Sequence, residues 1–176
     1  MMTQAAGHIG RGGAVLLALA ALGLTAACVR EDEAALRDRL DRWFSVGDTV
    51  GFAATQDCAA GAFRLVDPSV KASLPVVSGV GALLMQLDRG GRVALDDPTQ
   101  SPDRGMVTTV NAQRHTGMQM RRAALEARAC MDDTITTAFR HALDEPRAVL
   151  AYDSNTGSLM ILDPVTGLLV VAMGAR

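Results

Sequence analysis

Aromatic side chains and lysine are both scarce in this sequence. Phe, Trp and Tyr make up 3% of its 176 residues, too few to build a stacking platform for bases or sugars. Lys71 is the only lysine, and the formal net charge is −2. Because a nucleic-acid-binding surface needs clustered positive charge, we do not expect nucleic acid as a partner.

Catalytic and metal-binding motifs are also missing. No HExxH, GxSxG or CxxC motif is present, and Gly79-Val80-Gly81 lacks the third glycine of GxGxxG. His115 and His141 are far apart, and neither has a metal ligand at a suitable spacing. The pairs Asp96-Asp97 and Asp132-Asp133 suit turns and helix caps, because adjacent side chains point in different directions. The sequence therefore predicts no catalytic residue, no metal site and no cofactor, and it argues against an enzyme.

One long uncharged run is present near the start of the chain. Residues 14–27 are mainly Ala and Leu, and the preceding residues contain Arg11 and no acid. The run ends in the small residues Thr25-Ala26-Ala27, directly before Cys28. Its 14 residues match the apolar part of a signal peptide. The segment resembles the signal peptide and lipobox of bacterial lipoproteins, which implies removal of residues 1–27 and lipidation of Cys28.

The match to the lipobox has two departures. Leu24 lies one place further from the cysteine than is usual, and Thr25 occupies the position where leucine is commonest. An ordinary cleaved signal, with Cys28 left unmodified, is one alternative. A retained membrane helix over residues 12–29 is another, since 18 uncharged residues lie near the lower limit of the spanning range of about 17–25. Val29, rather than Asp, follows the cysteine, so the resemblance implies an outer-membrane lipoprotein facing the periplasm.

The cysteine count agrees with export. Assigning Cys28 to the lipid leaves Cys58 and Cys130, and disulfides persist in an oxidising periplasm. We therefore predict a Cys58–Cys130 disulfide, with two separate buried thiols as the alternative.

The remaining residues predict one α+β domain. We expect the lipidated N-terminus and a first helix over residues 28–48, followed by an α+β periplasmic domain over residues 49–176. We expect an antiparallel sheet of about five strands packed against three to four helices. The first two predicted helices cover residues 31–46 and 76–88. A long helical stretch follows from Ser101-Pro102 towards Met131, with a break near Gly117 as an alternative. A last helix begins at Asp133 and is ended by Pro146. The first two predicted strands cover residues 49–56 and 62–66.

The C-terminal part predicts a β-meander. Three apolar runs, at residues 148–152, 158–162 and 168–173, are separated by two turns with the pattern Asp-x-x-Thr-Gly. Asp begins such a turn, and Gly supplies positive φ. The second and third of these strands are apolar on both faces, so they should be central or covered on both sides. We expect helices on one face and a partner, a second copy or the remaining strands on the other.

Residues 85–98 resemble the stretch that follows the catalytic Ser-x-x-Lys helix of serine β-lactamases and penicillin-binding proteins. Ser69 and Lys71 are spaced as Ser-x-Lys, one residue too short, and no Lys-Thr-Gly element is present. The resemblance therefore implies at most a distant or degenerate fold relation, and it assigns no catalytic residue.

Three classes of function remain. The first is a lipid-anchored interaction or structural accessory module, held to the membrane through Cys28, that binds another envelope protein or the cell wall. The second is a module that binds a small or lipidic ligand, which would require an apolar cavity under the methionine-rich helices (Met106, Met118, Met120 and Met131). The third is a cryptic hydrolase, which would require a cleft joining His115 or His141 to a carboxylate and a hydroxyl.

Overall fold

The computed structural model describes residues 30–175, so the predicted signal segment and Cys28 lie outside the described residues. A mixed sheet of seven strands forms the centre of one α+β domain, in the order β1-β2-β7-β6-β5-β4-β3. Neighbouring strands are antiparallel except for β3 and β4. The strands are β1 (Phe44–Ala54), β2 (Ala59–Val70), β3 (Val76–Val77), β4 (Arg92–Leu95), β5 (Val149–Asp153), β6 (Ser158–Asp163) and β7 (Leu168–Met173).

Five α-helices and one 3₁₀ turn, Ala127–Cys130, accompany this sheet within residues 30–175. The side chains of Asp32, Ser101 and Asp132 accept a hydrogen bond from a backbone N–H of the following turn and so begin three of the helices. The α+β class is confirmed, but the sheet is mixed and has seven strands, rather than about five antiparallel ones, and there are five helices in this part of the chain rather than three to four. The helix predicted from residue 76 begins only at Val80, because Val76–Val77 pairs with β4 as a strand. The helices are α1 (Glu33–Leu40), α2 (Val80–Gly90), α3 (Pro102–Ala112), α4 (Arg114–Glu126) and α5 (Asp133–Asp144).

The C-terminal β-meander is present and forms the middle of the sheet. Strands β5, β6 and β7 are neighbours, and nearly all of their residues are buried. Gly157 and Gly167 end the two turns with φ of 65° and 68°, as the Asp-x-x-Thr-Gly pattern predicts. Asp153 and Asp163 accept hydrogen bonds from backbone N–H groups and threonine hydroxyls of their own turns.

Each face of the sheet is covered by the chain itself. Helices α2 to α5 cover one face, where Met120, Ile135 and Leu150 belong to the first core. Helix α1 covers the other face, where Leu36, Trp43 and Met160 belong to a second core. The two apolar faces of the meander strands therefore need no second copy and no partner to bury them.

The boundaries of the predicted first helix and second strand are wrong. The apolar spacing predicts a helix over residues 31–46, but α1 ends at Leu40 and β1 begins at Phe44. The second strand, predicted over residues 62–66, is longer in the structure, because β2 starts at Ala59 and continues through Asp67-Pro68 to Val70. Pro68 is tolerated there because β2 pairs with β7 only as far as Arg64, and because the β1–β2 register shifts at this point.

The predicted long helix is divided, but not at Gly117. Gln113 has extended dihedral angles, φ −145° and ψ 95°, and it separates α3 from α4. Gly117 lies instead in the first turns of α4, where it packs against the backbone of Val110. A Cβ atom at this position would lie 2.6 Å from Val110 Cα. Glycine is required here because the two helices approach closely.

The predicted pair of cysteines forms a disulfide. Cys58 precedes β2 and Cys130 ends the 3₁₀ turn, with Cα atoms 6.0 Å apart and a sequence separation of 72 residues. Both cysteines are buried. The bond ties the end of the α4 segment to the first residues of β2.

Candidate functional site

An open groove of about 780 Å³ lies between α3, α4 and α5. Its apolar lining includes Met106 from α3, Met118 and Leu125 from α4, and Phe139 and Leu143 from α5. The volume is within the range of about 300–1,000 Å³ that is typical of ligand pockets. This is the apolar cavity near methionine-rich helices that the second class of function requires, although Met120 is buried in the core and Met131 packs against that core.

One stripe of exposed side chains runs along α4 and the 3₁₀ turn, and all of its members except the first, Arg114, line the groove. The spacing alternates between four and three residues, so these side chains share one side of the helix. Met118 is 47% exposed and Leu125 is 65% exposed, and both adjoin the apolar lining of the groove. We call this set the α4 stripe, and it consists of Arg114, Met118, Arg121, Leu125 and Arg128.

The α4 stripe is basic. Residues 114–128 contain four arginines and one acid, Glu126, although the whole chain has a net charge of −2. Glu126 pairs with Arg122, which stands next to the stripe, and the hydrogen bond between them raises the pKa of Arg122. The guanidinium groups of the stripe itself form no ion pair within residues 30–175.

A smaller and more polar hollow lies on the other flank of α4. Gln119, Arg122 and Glu126 separate it from the groove, since they line both. Tyr152 and residues 154–157 of the β5–β6 turn form its opposite wall. Burial of the Tyr152 side chain raises its pKa, and the nearby Asp153 carboxylate adds a smaller effect in the same direction. The polar character of this hollow contrasts with the apolar groove.

The structure joins His141 to a carboxylate but not to a nucleophile. His141 Nδ1 lies 2.8 Å from Asp163 Oδ2. Burial raises the pKa of Asp163, but hydrogen bonds from Thr166, Val165 and His141 outweigh this and lower it below the usual value. The Thr166 hydroxyl donates to the same Asp163 oxygen, so it is not presented to the imidazole. The arrangement fixes the end of α5 to the β6–β7 turn.

The other residues considered from the sequence have structural places. Asp97 accepts hydrogen bonds from Thr99, and Gly79 precedes the first residue of α2. Ser69 is an exposed residue of a strand, and the Lys71 ammonium donates to the carbonyl of Asp41. His115 is exposed and lines the groove. These positions do not form an active site of the β-lactamase kind.

The first described residues lie at one identifiable end of the sheet. The Arg39 guanidinium is 2.9 Å from Glu31 and 3.6 Å from Met173 Sδ, at the end of β7. The residues that follow β7 reach the end of α4, where the N–H of Ala175 donates a hydrogen bond to the Glu126 carboxylate at 3.0 Å. The chain therefore enters the domain at the end of the sheet to which α4 runs.

Two searches of residues 30–175 gave negative results. No cluster of three or more His, Cys, Asp or Glu side chains in this part of the chain is arranged to hold a metal ion. Among the same residues, none of the helices has the length and apolar character needed to cross a membrane.

Comparison with protein-family models, with curated proteins and with solved structures finds no match to this chain. The site therefore has to be judged on its own residues. Sequence analysis singled out Met106 and Met118 but missed Leu125, Phe139 and the arginines. The seven-residue repeat of Arg114, Arg121 and Arg128 was the available signal, because residues with this spacing share one side of a helix.

Proposed function

We propose that this protein is a lipid-anchored module of the bacterial cell envelope that acts by binding another envelope protein. The groove between α3, α4 and α5, with the α4 stripe along its edge, is the binding surface. The observation that carries the proposal is the pair of exposed apolar side chains, Met118 and Leu125, set among arginines that have no acidic partner in residues 30–175. Exposed apolar patches with a polar rim are typical of interaction sites.

The position of Cys28 supports the membrane part of the proposal. Only Val29 and Arg30 lie between Cys28 and Glu31, so the chain from one to the other can span at most about 11 Å. A lipid on Cys28 would hold the domain directly against the bilayer, at the end of the sheet to which α4 runs. Stable attachment of this kind requires at least two hydrocarbon chains. The groove lies on the opposite face of the sheet from α1.

Co-purification from gently solubilised membranes tests this function. The native chain should retain a stoichiometric envelope protein, which should be lost from the Cys28→Ala form and from Leu125→Glu. The matched control is Met85→Glu, because Met85 is also exposed, at 56%, but lies on α2 outside the groove. If no partner is retained, or if Met85→Glu and Leu125→Glu lose it equally, the proposed binding surface is wrong.

A second candidate is a module for a small or lipidic ligand, favoured by the apolar floor of the groove at Met106, Phe139 and Leu143. Extraction of the purified protein with organic solvent, followed by mass spectrometry, separates the two candidates. A stoichiometric lipid that is absent from Leu125→Glu would favour the ligand module.

A further inference from the structure

The α4 stripe has the length and repeat of a surface that accepts another helix. From Arg114 to Arg128 it covers 15 residues, whose 14 steps correspond to about 21 Å of helix. Its arginines recur at every seventh residue, and Met118 and Leu125 have the same spacing between them. A helix lying along the groove would meet this pattern in register, because two packed helices repeat their contacts at about this interval.

The charge of the stripe selects the kind of helix. Arg114, Arg121 and Arg128 are exposed and have no ion pair within the described residues. Arginine binds carboxylates through two parallel hydrogen bonds. Acidic side chains beside the apolar contacts would therefore match the stripe. The two acids of the groove lining lie outside the stripe, since Asp103 is on α3 and Glu126 is paired with Arg122.

The distribution of charge argues for a protein segment rather than a lipid. An anionic single-chain lipid has its charge at one end and hydrocarbon over the rest of its length. A chain lying in the groove would then place hydrocarbon along the middle arginine, Arg121. An acidic amphipathic helix has charges along its whole length and meets all three arginines.

We propose that the groove binds an amphipathic helix of another envelope protein, with apolar side chains along one stripe and Asp or Glu beside them. This is the helix-in-groove mode of recognition. The apolar stripe of the partner packs on Met118, Leu125 and the floor of the groove. Its carboxylates contact Arg121 and the arginine at each end of the stripe. The inference rests on the proposed function and names the partner segment.

Photo-crosslinking in cells tests the partner's chemistry. Benzoylphenylalanine replaces Leu125 in the full, anchored chain, and the crosslinked segment is identified by mass spectrometry. The same group at Met85 is the control for random encounters. The expected segment is an acidic amphipathic helix that crosslinks from position 125 and not from position 85.

Charge reversal gives the second arm of the test. Arg121→Glu should lower the yield of the adduct by about tenfold or more, and replacing the facing acid of the partner by Arg should restore it. Arg140→Glu, on an exposed residue of α5 outside the groove lining, is the matched control and should leave the yield unchanged. Both variants change only exposed side chains, and equal thermal stability verifies that the fold is kept.

Three results would overturn the inference. The first is a crosslinked segment that is basic, uncharged or non-helical. The second is an adduct with lipid alone, and the third is a yield that Arg121→Glu does not change. If a partner still co-purifies in a Leu125-dependent manner in any of these cases, the proposed function stands and only the acidic helix is wrong.

Discussion

Removing the Cys58–Cys130 disulfide should destabilise the fold by about 4 kcal/mol. The closed loop has a sequence separation of 72 residues, and the chain-entropy relation gives this value at 25 °C. For a domain of this size, such a loss corresponds to a fall in Tm of about 8–16 °C. Alanine is the better replacement at both positions, because both are buried and a serine hydroxyl there would need a hydrogen-bond partner.

Urea unfolding followed by circular dichroism measures the effect, with Cys58→Ala and Cys130→Ala combined in one variant. Because the bond acts by restricting the unfolded chain, its loss should also raise the m-value, since the unfolded state then exposes more surface. Reduction of the native protein should reproduce both changes. A loss of stability below about 1 kcal/mol would refute the reasoning. A loss of unfolding free energy of about 4 kcal/mol with an unchanged m-value would show that the disulfide acts mainly on the folded state.

Three further predictions concern single positions. Gly117→Ala should destabilise the protein by about 1–3 kcal/mol, because the added Cβ would overpack against Val110. Gly81→Ala should stabilise it by about 0.5–1 kcal/mol, because the space around its Cβ is open. Thermal unfolding of the two variants tests whether the stability changes have these opposite signs. The pKa of Asp163 is lowered in the folded state, so its ionised form stabilises the fold above about pH 4, and this contribution is lost as the pH falls through the folded-state value. In urea titrations at different pH values, Asp163→Asn should therefore flatten the decline of the unfolding free energy below about pH 4. A decline equal to that of the native protein would contradict this. The intact mass of membrane-extracted protein should correspond to a chain that begins at Cys28 with added acyl mass, and a chain that begins there without that mass would disprove lipidation.

The β-meander could be predicted from the sequence because its signals are local. Asp153 and Asp163 bond within their own turns, and Gly157 and Gly167 supply the positive φ that each turn requires. These bonds and dihedral angles lie within five-residue stretches, so the turns are visible in the sequence although Ser154 and Asp163 also bond to Gly91 and His141. The helix start at Ser101 is local in the same way.

Other elements depend on distant pairing and could not be read from the chain. Strand β3 has two residues, too few to show any periodicity, and it exists because it pairs with β4. Trp43 and Phe44 continue the apolar spacing of α1, yet the chain turns after Leu40 and buries both aromatic side chains in the second core. The sequence indicated Met106 and Met118 of the groove but not Leu125 or Phe139, since these side chains come together only when three helices pack.

The proximity of Glu31 to the end of β7 has a consequence for protein engineering. A short linker from Ala175 back to Glu31 would join two points at the same end of the sheet. The Arg39 guanidinium already contacts both Glu31 and Met173 there. New termini could then be opened at residues 164–166, which are exposed in the turn at the opposite end. Such a circular permutant would keep every strand pairing. If the protein is lipidated as proposed, moving the lipidated cysteine to the new N-terminus would invert the domain on the membrane and show whether its orientation matters for the cell.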